Sequence, residues 1–191
     1  MRNPILVGAR VYLRPIETGD AMTIAENTAM ETETFMYRGR GPMSPIGFEH
    51  WITELHKRQP PQEIAFAVCL RADDRCIGIV GISEIDWVHR TAETFSELGP
   101  ATIRGQGYGT DAKHLLLEYC FDHIHLHAIR SFVAATNTRS MAALARQGYR
   151  PAGTIRWMDV KHGVYQDDCL FDLLRDEWLA AHAAWLQGQS A

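Results

Sequence analysis

The order of secondary-structure patterns in this 191-residue chain predicts an α/β fold, a single domain around one mixed sheet. Strand-like stretches come first, and a helix, a strand, a second helix and a last pair of strands follow. The helix in the middle of the chain has the clearest apolar periodicity, and no internal repeat divides the sequence. We therefore treat residues 1–191 as one domain, long enough to bury about 70% of the surface that the unfolded chain exposes.

The N-terminal third predicts one strand and two helices. The strand covers Ala9–Pro15, where side chains alternate in character before a proline. A helix capped by Asp20 extends to about Met30, and a second helix covers Phe48–Arg58 before two consecutive prolines. Between them, residues 36–45 (MYRGRGPMSP) are rich in glycine and proline and are predicted to form a loop.

The middle of the chain predicts a hairpin, a third extended run and the strongest helix. Ile64–Leu70 and Cys76–Ile85 are strands joined across the polar residues 72–75, and Ala92–Gly99 is extended as well. Apolar residues spaced i, i+3, i+4 predict a helix from Thr110 to about Asp122. Those apolar residues are Ala112, Leu115, Leu116, Tyr119 and Cys120.

The C-terminal part completes the predicted sheet. Ala128–Ala135 is a strand, and Arg139–Gln147 is a short helix that Gly148 ends. The last pair of strands covers Thr154–Val160 and Asp168–Leu174.

The charge balance argues against a nucleic-acid partner. The formal net charge is -4 and the pI is near 6.1, whereas a nucleic-acid footprint needs a basic excess on one face. The composition, 46% apolar and 22% charged, is typical of a globular protein outside the membrane and disordered classes. No run approaches the roughly 20 apolar residues of a membrane span.

The N-terminus and the cysteines indicate the cytoplasm. Residues 1–15 (MRNPILVGARVYLRP) have no apolar core of signal-peptide length and no small-residue cleavage pattern. The cysteines form no CxxC pair for zinc or redox chemistry, and we expect reduced core residues at all four positions. These are Cys69, Cys76, Cys120 and Cys169.

The most informative segment is residues 104–110 (RGQGYGT), between an extended run and the strongest helix. Glycines there let the backbone approach an anion, and the first-turn amides of the helix point at it. A dinucleotide fingerprint needs GxGxxG after the first strand of a parallel unit, and a P-loop needs GxxxxGK; neither spacing is present. The remaining interpretations are a phosphate-binding loop and a glycine-rich turn without a ligand.

Several spaced motifs resemble the GNAT acyltransferases. Arg104, Gly107 and Gly109 match the R/Q-x-x-G-x-G/A pyrophosphate loop of that superfamily, and residues 104–130 (RGQGYGTDAKHLLLEYCFDHIHLHAIR) look like its RimJ/RimL-type branch. Residues 137–140 (NTRS) fit the NxxS of that branch. Residues 147–149 (QGY) and 176–178 (DEW) fit its GF or GY and its closing DEW, so the resemblance spans about residues 9–178.

The resemblance implies a mixed, mostly antiparallel sheet with helices on both faces, splayed into a V between its fourth and fifth strands. Pantetheine of acetyl-CoA lies in that cleft. The strand end at Leu98 and Gly99 offers backbone groups to pantetheine and an amide to the thioester oxygen. The remaining residues implied to bind the coenzyme are Arg104, Gly105, Gln106, Gly107, Tyr108, Gly109, Thr110 and Asn137. A homodimer is also a family expectation.

Two carboxylates are candidates for the general base. Glu97 lies on the strand expected to line the cleft, although a solvent-facing or ion-paired strand residue is an equal alternative. Asp159 lies where Rim-type enzymes carry a glutamate proposed as base. Ser140 matches the position of the acid that protonates the thiolate, or it helps to cap the short helix after Asn137.

The acceptor is expected to be a primary amine, with a protein or peptide N-terminus preferred. A lysine-like amine costs about 4.6 kcal/mol to deprotonate at pH 7, so weakly defined bases favour an α-amine. Spermidine N-acetyltransferases resemble residues 77–92 but carry a catalytic tyrosine where this chain has Leu144. Tyr149 or Tyr165 could replace it in space. Small-amine transfer and a non-catalytic acyl-CoA-binding module are the alternatives.

Two further clusters have structural alternatives. His123, His125 and His127 alternate at a helix end without a carboxylate or cysteine to complete a tetrahedral set, so no metal is expected. In this family the region of the early helices forms the substrate wall. Its methionines and aromatic residues are substrate-wall candidates or core, with core more probable for Phe48 and Trp51. The remaining members are Met30, Phe35, Met36, Tyr37, Arg38 and Met43.

Overall fold

Across residues 1–30, 44–99, 101–161 and 163–189, which the computed structural model describes, eight strands form one sheet. Their order is β1-β2-β3-β4-β5-β6-β8-β7. Neighbouring strands are antiparallel except for the parallel pair β5 and β6. The strands are β1 (Leu6–Val7), β2 (Val11–Pro15), β3 (Ile64–Leu70), β4 (Cys76–Asp86), β5 (Thr91–Leu98), β6 (Ala128–Ala134), β7 (Arg150–Lys161) and β8 (Val164–Leu174).

Helices cover both faces of this sheet, so the predicted α/β class is confirmed. The α-helices of the described part are α1 (Ala21–Met30), α2 (Pro45–Leu55), α3 (Tyr108–Glu118), α4 (Thr138–Arg146) and α5 (Arg175–Gln189). One face packs on α1 and α2 through a small core that includes Ile24, Ile52 and Ile79. The other face packs on α3 and α5 through a larger core that includes Val80 and Leu116. Adjacent residues Ile79 and Val80 enter opposite cores because side chains alternate along a strand.

Three elements differ from the sequence-based expectation. The short strand β1 and the C-terminal helix α5 were not predicted. The α5 sequence is rich in alanine, so its apolar residues mark no single stripe, and it is held mainly by Trp178, which is 1% exposed and stacks on Phe121. The β7–β8 hairpin is longer than expected, since Pro151 and Gly153 interrupt the alternation at a register shift.

The start of the first helix is organised differently from the prediction. Asp20 was expected to cap it, but its carboxylate accepts the amide of Glu17 at 2.9 Å and the buried guanidinium of Arg14 at 2.6 Å and 2.8 Å. A turn of 3-10 helix at residues 18–20 precedes α1. Asp20 therefore links the end of β2 to this turn. Loss of either Asp20 or Arg14 would leave a buried charge without its partner, which is strongly destabilising.

A further helical turn, Tyr119–His123, continues α3 with π-helical hydrogen bonding. The predicted helix of about residues 110–122 thus consists of α3 and this turn. Within the described residues no helix is long and apolar enough to cross a membrane.

The C-terminal helix is fastened to α3 through a stack of histidine and tryptophan rings. Trp178 Nε1 donates to Nδ1 of the buried His114 at 3.3 Å, and the rings of His182 and Trp185 stack on His114 with centroids 4.8 Å and 4.5 Å away. His114 accepts at Nδ1, so its neutral form carries the proton at Nε2, which is buried and has no partner among the described residues. Burial lowers the pKa of His114 to about 4.

This arrangement predicts a loss of stability in mild acid. An unfolded histidine has a pKa near 6.5, so the folded state binds fewer protons than the unfolded state as the pH falls from about 6.5 to about 4. The free energy of unfolding should fall by about 3 kcal/mol across that window through His114. His114→Phe should remove this part of the pH dependence, whereas replacement of the exposed His50 by Asn should keep it. Denaturant unfolding at several pH values measures it, and equal pH slopes in the wild type and His114→Phe would contradict this role.

Candidate active site

The cleft of the predicted V lies between β5 and β6. The two strands pair in parallel register only from Thr91 opposite Ala128 to Glu93 opposite Arg130. Beyond those three pairs β5 continues to Leu98 and β6 to Ala134 without pairing to each other. The resemblance placed the cleft between the fourth and fifth strands, and β5 and β6 are the fourth and fifth when the two-residue strand β1 is left out of the count.

A buried hydrogen-bond chain closes the narrow end of this cleft. Ser131 Oγ of β6 donates to the Thr94 carbonyl of β5 at 3.3 Å, and the hydroxyls of Thr94 and Tyr149 lie 2.9 Å apart. Burial raises the pKa of Tyr149 far above that of a free phenol. Tyr149 therefore fastens the base of the cleft, and its proton is poorly suited to catalysis.

The glycine loop has the backbone that an anion site requires. Gly105 and Gly107 have φ angles of +78° and +82°, in the left-handed region that favours glycine. Gly107 is the N-cap of α3, and its carbonyl accepts the amide of Asp111 at 3.0 Å. Because the N-cap residue is a glycine, it offers no capping side chain, and the first-turn amides of such a helix end are suited to bind an anion.

Asp111 fixes the position of this loop against the N-terminal strand. Its carboxylate, 1% exposed, accepts the backbone amides of Ala9, Arg10 and Val11 at 3.4, 2.7 and 3.0 Å. A side chain at Gly8 would collide with it, since a Cβ there would lie 2.4 Å from Asp111 Oδ1. The first turn of α3 and the start of β2 are thus held as one unit.

Arg10 is a site residue that sequence reasoning missed. Its guanidinium donates to the carbonyl of Gln106, and a Cβ at Gly107 would lie 2.9 Å from Arg10 Nη1. Arg10 is exposed and places a positive charge beside the predicted pyrophosphate loop. Arg10 and Gln106 are 96 positions apart, so no local sequence pattern predicts their contact. It becomes visible only in the tertiary structure, where Asp111 holds the Arg10 backbone beside α3.

The strand end at Leu98 and Gly99 lies against both the loop and α1. A Cβ at Gly109 would lie 3.3 Å from Leu98 Cδ1, and the Gly99 amide donates to the Ile77 carbonyl at 2.7 Å. The side chain of Asn27 donates to the same carbonyl at 3.4 Å. The Gly99 amide is therefore engaged with β4, and the prediction that this strand end offers an amide to the thioester oxygen stays a prediction.

Glu97, the first candidate base, is half-buried and turned towards α1. Its Oε1 contacts the hydroxyl of Thr28, which also lies 2.9 Å from the Ile24 carbonyl. One hydroxyl hydrogen is thus shared between two acceptors. Thr28 is a second site residue that the sequence did not reveal, and it fixes the orientation of Glu97.

The acid candidate lies at the start of α4, beyond the C-terminal end of β6. Asn137 Oδ1 accepts the Ser140 amide at 3.1 Å, so the capping side chain is that of Asn137. The Ser140 hydroxyl is half-buried and makes no hydrogen bond to the part of the chain that the structure describes. The side chain that caps α4 is therefore that of Asn137 and not that of Ser140, and the role of the Ser140 hydroxyl as an acid stays a prediction.

The second candidate base lies on an edge strand. Asp159 of β7 is opposite Gln166 of β8, and its Oδ1 accepts the neighbouring Val160 amide at 2.7 Å. In the sheet, β8 separates β7 from β6. Asp159 therefore lies two strands from β6 in the sheet order, and its role as a base stays a prediction.

The remaining candidates have mixed outcomes. Phe48 is buried in the small core, and Trp51 packs on it edge to face with ring centroids 6.4 Å apart. Met30 is exposed at the end of α1. The other predicted wall residues, Phe35, Met36, Tyr37, Arg38 and Met43, and most of the predicted loop at residues 36–45 lie outside the described residues.

Two of the three alternating histidines line a cavity. His125 and His127 line a cavity of about 490 Å³ with Arg90 and Arg175, while His123 stacks on Tyr119. Among the described residues no group of three or more histidine, cysteine or carboxylate side chains could hold a metal ion.

The comparisons with known proteins identify the class. Residues 10–150 match the family model described as the acetyltransferase (GNAT) domain. The chain belongs to this family of N-acetyltransferases, which use acetyl-CoA, and it is an acyl-CoA-dependent transferase.

Particular relatives support this assignment. The chain is 27% identical over 181 residues to the probable N-acetyltransferase YjcK of Bacillus subtilis (strain 168), with 91% of this chain and 98% of that protein covered. It is 28% identical over 108 residues to the spermidine N(1)-acetyltransferase of Vibrio cholerae, covering 56% and 62% of the two chains. A GCN5-related N-acetyltransferase from Brucella melitensis superposes with a TM-score of 0.78 at 25% identity, covering 98% and 86%.

Gly107→Val should abolish measurable coenzyme binding. A β-branched residue is strained at a φ of +82°, and its Cβ would collide with Arg10. Gly153→Ala is the matched control, since nothing lies within 4 Å of a Cβ there. Calorimetric titration with acetyl-CoA measures the effect, and unchanged affinity in Gly107→Val would remove the loop from the coenzyme site.

Arg10→Ala should weaken acetyl-CoA binding about tenfold or more, because a charge-assisted hydrogen bond contributes about 1.5–3 kcal/mol. The effect should shrink at high salt, as expected for an exposed charge. Arg2→Ala, which removes an exposed arginine paired with Glu17, should leave the affinity unchanged. Equal affinities for Arg10→Ala and Arg2→Ala would show that Arg10 only braces the loop.

Proposed function

We propose that the chain transfers the acetyl group of acetyl-CoA to the N-terminal amine of a protein or peptide, as a RimJ/RimL-type enzyme. The observation that carries the proposal is the cleft between β5 and β6, with the glycine loop beyond the end of β5 and Glu97 on that strand. The family supplies acetyl-CoA as co-substrate.

The coenzyme is held at its phosphates and along pantetheine. The pyrophosphate binds the first-turn amides of α3 from Tyr108 to Thr110, with Arg10 and Arg104 as nearby cations. Pantetheine enters between β5 and β6 beyond their three paired residues, where the two strands do not pair with each other and an extended chain can lie between their backbones. This places the thioester near Glu97.

Transfer is direct, through a ternary complex. Glu97 removes a proton from the ammonium group of the acceptor, directly or through water, and Thr28 holds the carboxylate in place. The neutral amine attacks the thioester carbonyl, the carbon–sulfur bond breaks, and Ser140 gives a proton to the departing thiolate. The nitrogen loses its second proton as the amide forms, and that proton restores the Ser140 hydroxyl. Asp159, on the β7–β8 hairpin, is the alternative base.

The preference for an α-amine follows from its acidity. An N-terminal amine with a pKa near 8 is about one-tenth neutral at pH 7, whereas a lysine-like amine costs about 4.6 kcal/mol to deprotonate. Glu97 is a half-buried carboxylate in contact with the neutral hydroxyl of Thr28, and such a base is suited to deprotonate the more acidic N-terminal ammonium group.

A small polyamine is the second candidate acceptor. It is favoured by relatives named spermidine N(1)-acetyltransferase in Vibrio cholerae and Escherichia coli (strain K12). The position of the tyrosine acid of those enzymes is occupied by Leu144, which is 5% exposed in the large core. Tyr149 is buried on Thr94, and Tyr165 is exposed. Polyamine transfer would therefore use a different acid.

The homodimer and the cytoplasmic location stay predictions.

Release of free coenzyme A thiol from acetyl-CoA distinguishes the acceptors. The panel contains peptides with free N-termini, the same peptides blocked at the N-terminus, and polyamines. Turnover with free but not blocked peptides supports the proposal. Turnover with polyamines alone selects the second candidate, and tight coenzyme binding without turnover on any amine would overturn both.

Substitutions of the three candidate groups should separate catalysis from binding. Glu97→Gln and Ser140→Ala should each lower kcat about 100-fold or more, the usual contribution of a general acid or base, with little change in the Kd of acetyl-CoA. Asp159→Asn should match this loss only if the hairpin supplies the base. Asp172→Asn, an exposed carboxylate on β8, is the control. Full activity in both Glu97→Gln and Ser140→Ala would assign those residues structural roles.

A further inference from the structure

Two cysteines lie directly opposite each other on neighbouring strands. Cys69 of β3 is the register partner of Cys76 of β4, and a bulge at Ile77 follows, since Val68 is opposite Gly78. Opposed residues of antiparallel strands have Cα atoms about 4.5–5.5 Å apart, and disulfides span about 4.4–6.8 Å. The backbone therefore already has the separation that a disulfide requires. Sequence reasoning treated these thiols as separate core residues.

The surroundings favour a reactive sulfur at this pair. Interaction with the Cys76 thiol and the positive charge of Arg14 lower the pKa of Cys69 to about 6. Interaction with Cys69 and burial raise the pKa of Cys76, so Cys69 is the more acidic thiol of the pair. Burial raises the pKa of Cys120 to about 12, so that thiol is inert by comparison.

The cysteine pair is accessible from the side of Cys76. Cys69 is fully buried beneath Tyr12, whereas Cys76 is half-buried and adjoins the exposed turn at residues 71–75. A small neutral oxidant can therefore approach the pair from that turn, past Cys76.

We propose that Cys69 and Cys76 are a modification site that forms a reversible disulfide in the presence of a small peroxide. The Cys69 thiolate attacks one oxygen of a peroxide that enters past Cys76, the oxygen–oxygen bond breaks, and the leaving oxygen takes the proton of the Cys76 thiol and departs as water, so Cys69 becomes a sulfenic acid. The Cys76 sulfur then attacks the Cys69 sulfur, and the sulfenic oxygen leaves as a second water. Two thiols are oxidised and one peroxide is reduced to two waters, and a thiol reductant reverses the step.

The site is coupled to the coenzyme strand through three consecutive residues. Cys76 Sγ lies 3.6 Å from the Gly78 carbonyl, and Gly78 is so close to β5 that a Cβ would lie 2.1 Å from the Glu97 carbonyl. The carbonyl of Ile77 accepts the Gly99 amide. Moving Cys76 towards Cys69 displaces this segment, so oxidation should weaken acetyl-CoA binding; this consequence rests on the proposed coenzyme site.

Thiol counting after peroxide treatment tests the disulfide without reference to the enzyme activity. The wild type should change from four free thiols to two and lose the mass of two hydrogen atoms, with recovery after reduction. Cys69→Ala and Cys76→Ser should form no internal disulfide, whereas Cys169→Ser should still form one. An unchanged thiol count in the folded wild type, or a disulfide that survives Cys76→Ser, would overturn the proposal.

Calorimetry on the reduced and oxidised forms tests the coupling. The oxidised wild type should bind acetyl-CoA at least threefold more weakly than the reduced form, and saturating acetyl-CoA should shift the thiol–disulfide equilibrium by the same factor. Oxidised Cys76→Ser should bind as its reduced form does. A disulfide that forms with no change in affinity would refute the coupling alone, and absent binding in the reduced protein would instead count against the proposed function.

Discussion

Strands β5 and β6 exchange backbone hydrogen bonds over three residue pairs and then separate, and the remainder of the site depends on that separation. Past Glu93 and Arg130 the facing edges lack strand partners, a costly condition for buried backbone groups unless something else pairs with them. Ser131 pairs one such group, the Thr94 carbonyl, at the narrow end. Further out, an extended chain with amide groups can occupy the gap, and pantetheine is such a chain.

A second constraint fixes where the coenzyme phosphates lie relative to that gap. The carboxylate of Asp111 accepts three consecutive backbone amides from the start of β2, so α3 cannot shift along the sheet without leaving these groups unpaired. The same contact positions Arg10 over the glycine loop. One buried acidic residue therefore orients both the helix end and its cationic neighbour.

The strand end beside the gap is also held from the α1 side. Thr28 contacts Glu97, and Asn27 lies on the Ile77 carbonyl beside Gly99, so the first helix braces the candidate base as well as the coenzyme strand. This dense packing explains how a change at Cys76, just before Ile77, can reach the cleft. In a close-packed interior, displaced backbone shifts its neighbours.

The sequence by itself determined the α/β class, most strand and helix positions and the glycine loop, because these depend on local periodicity and on backbone freedom at Gly105 and Gly107. It did not predict α5, whose alanine-rich sequence marks no apolar stripe. Arg10, Thr28 and the Cys69–Cys76 pair became visible only in the tertiary structure, which also placed Asp159 on the edge strand β7. Such contacts depend on strand order and register, which join residues far apart in the chain and leave no local pattern in the sequence.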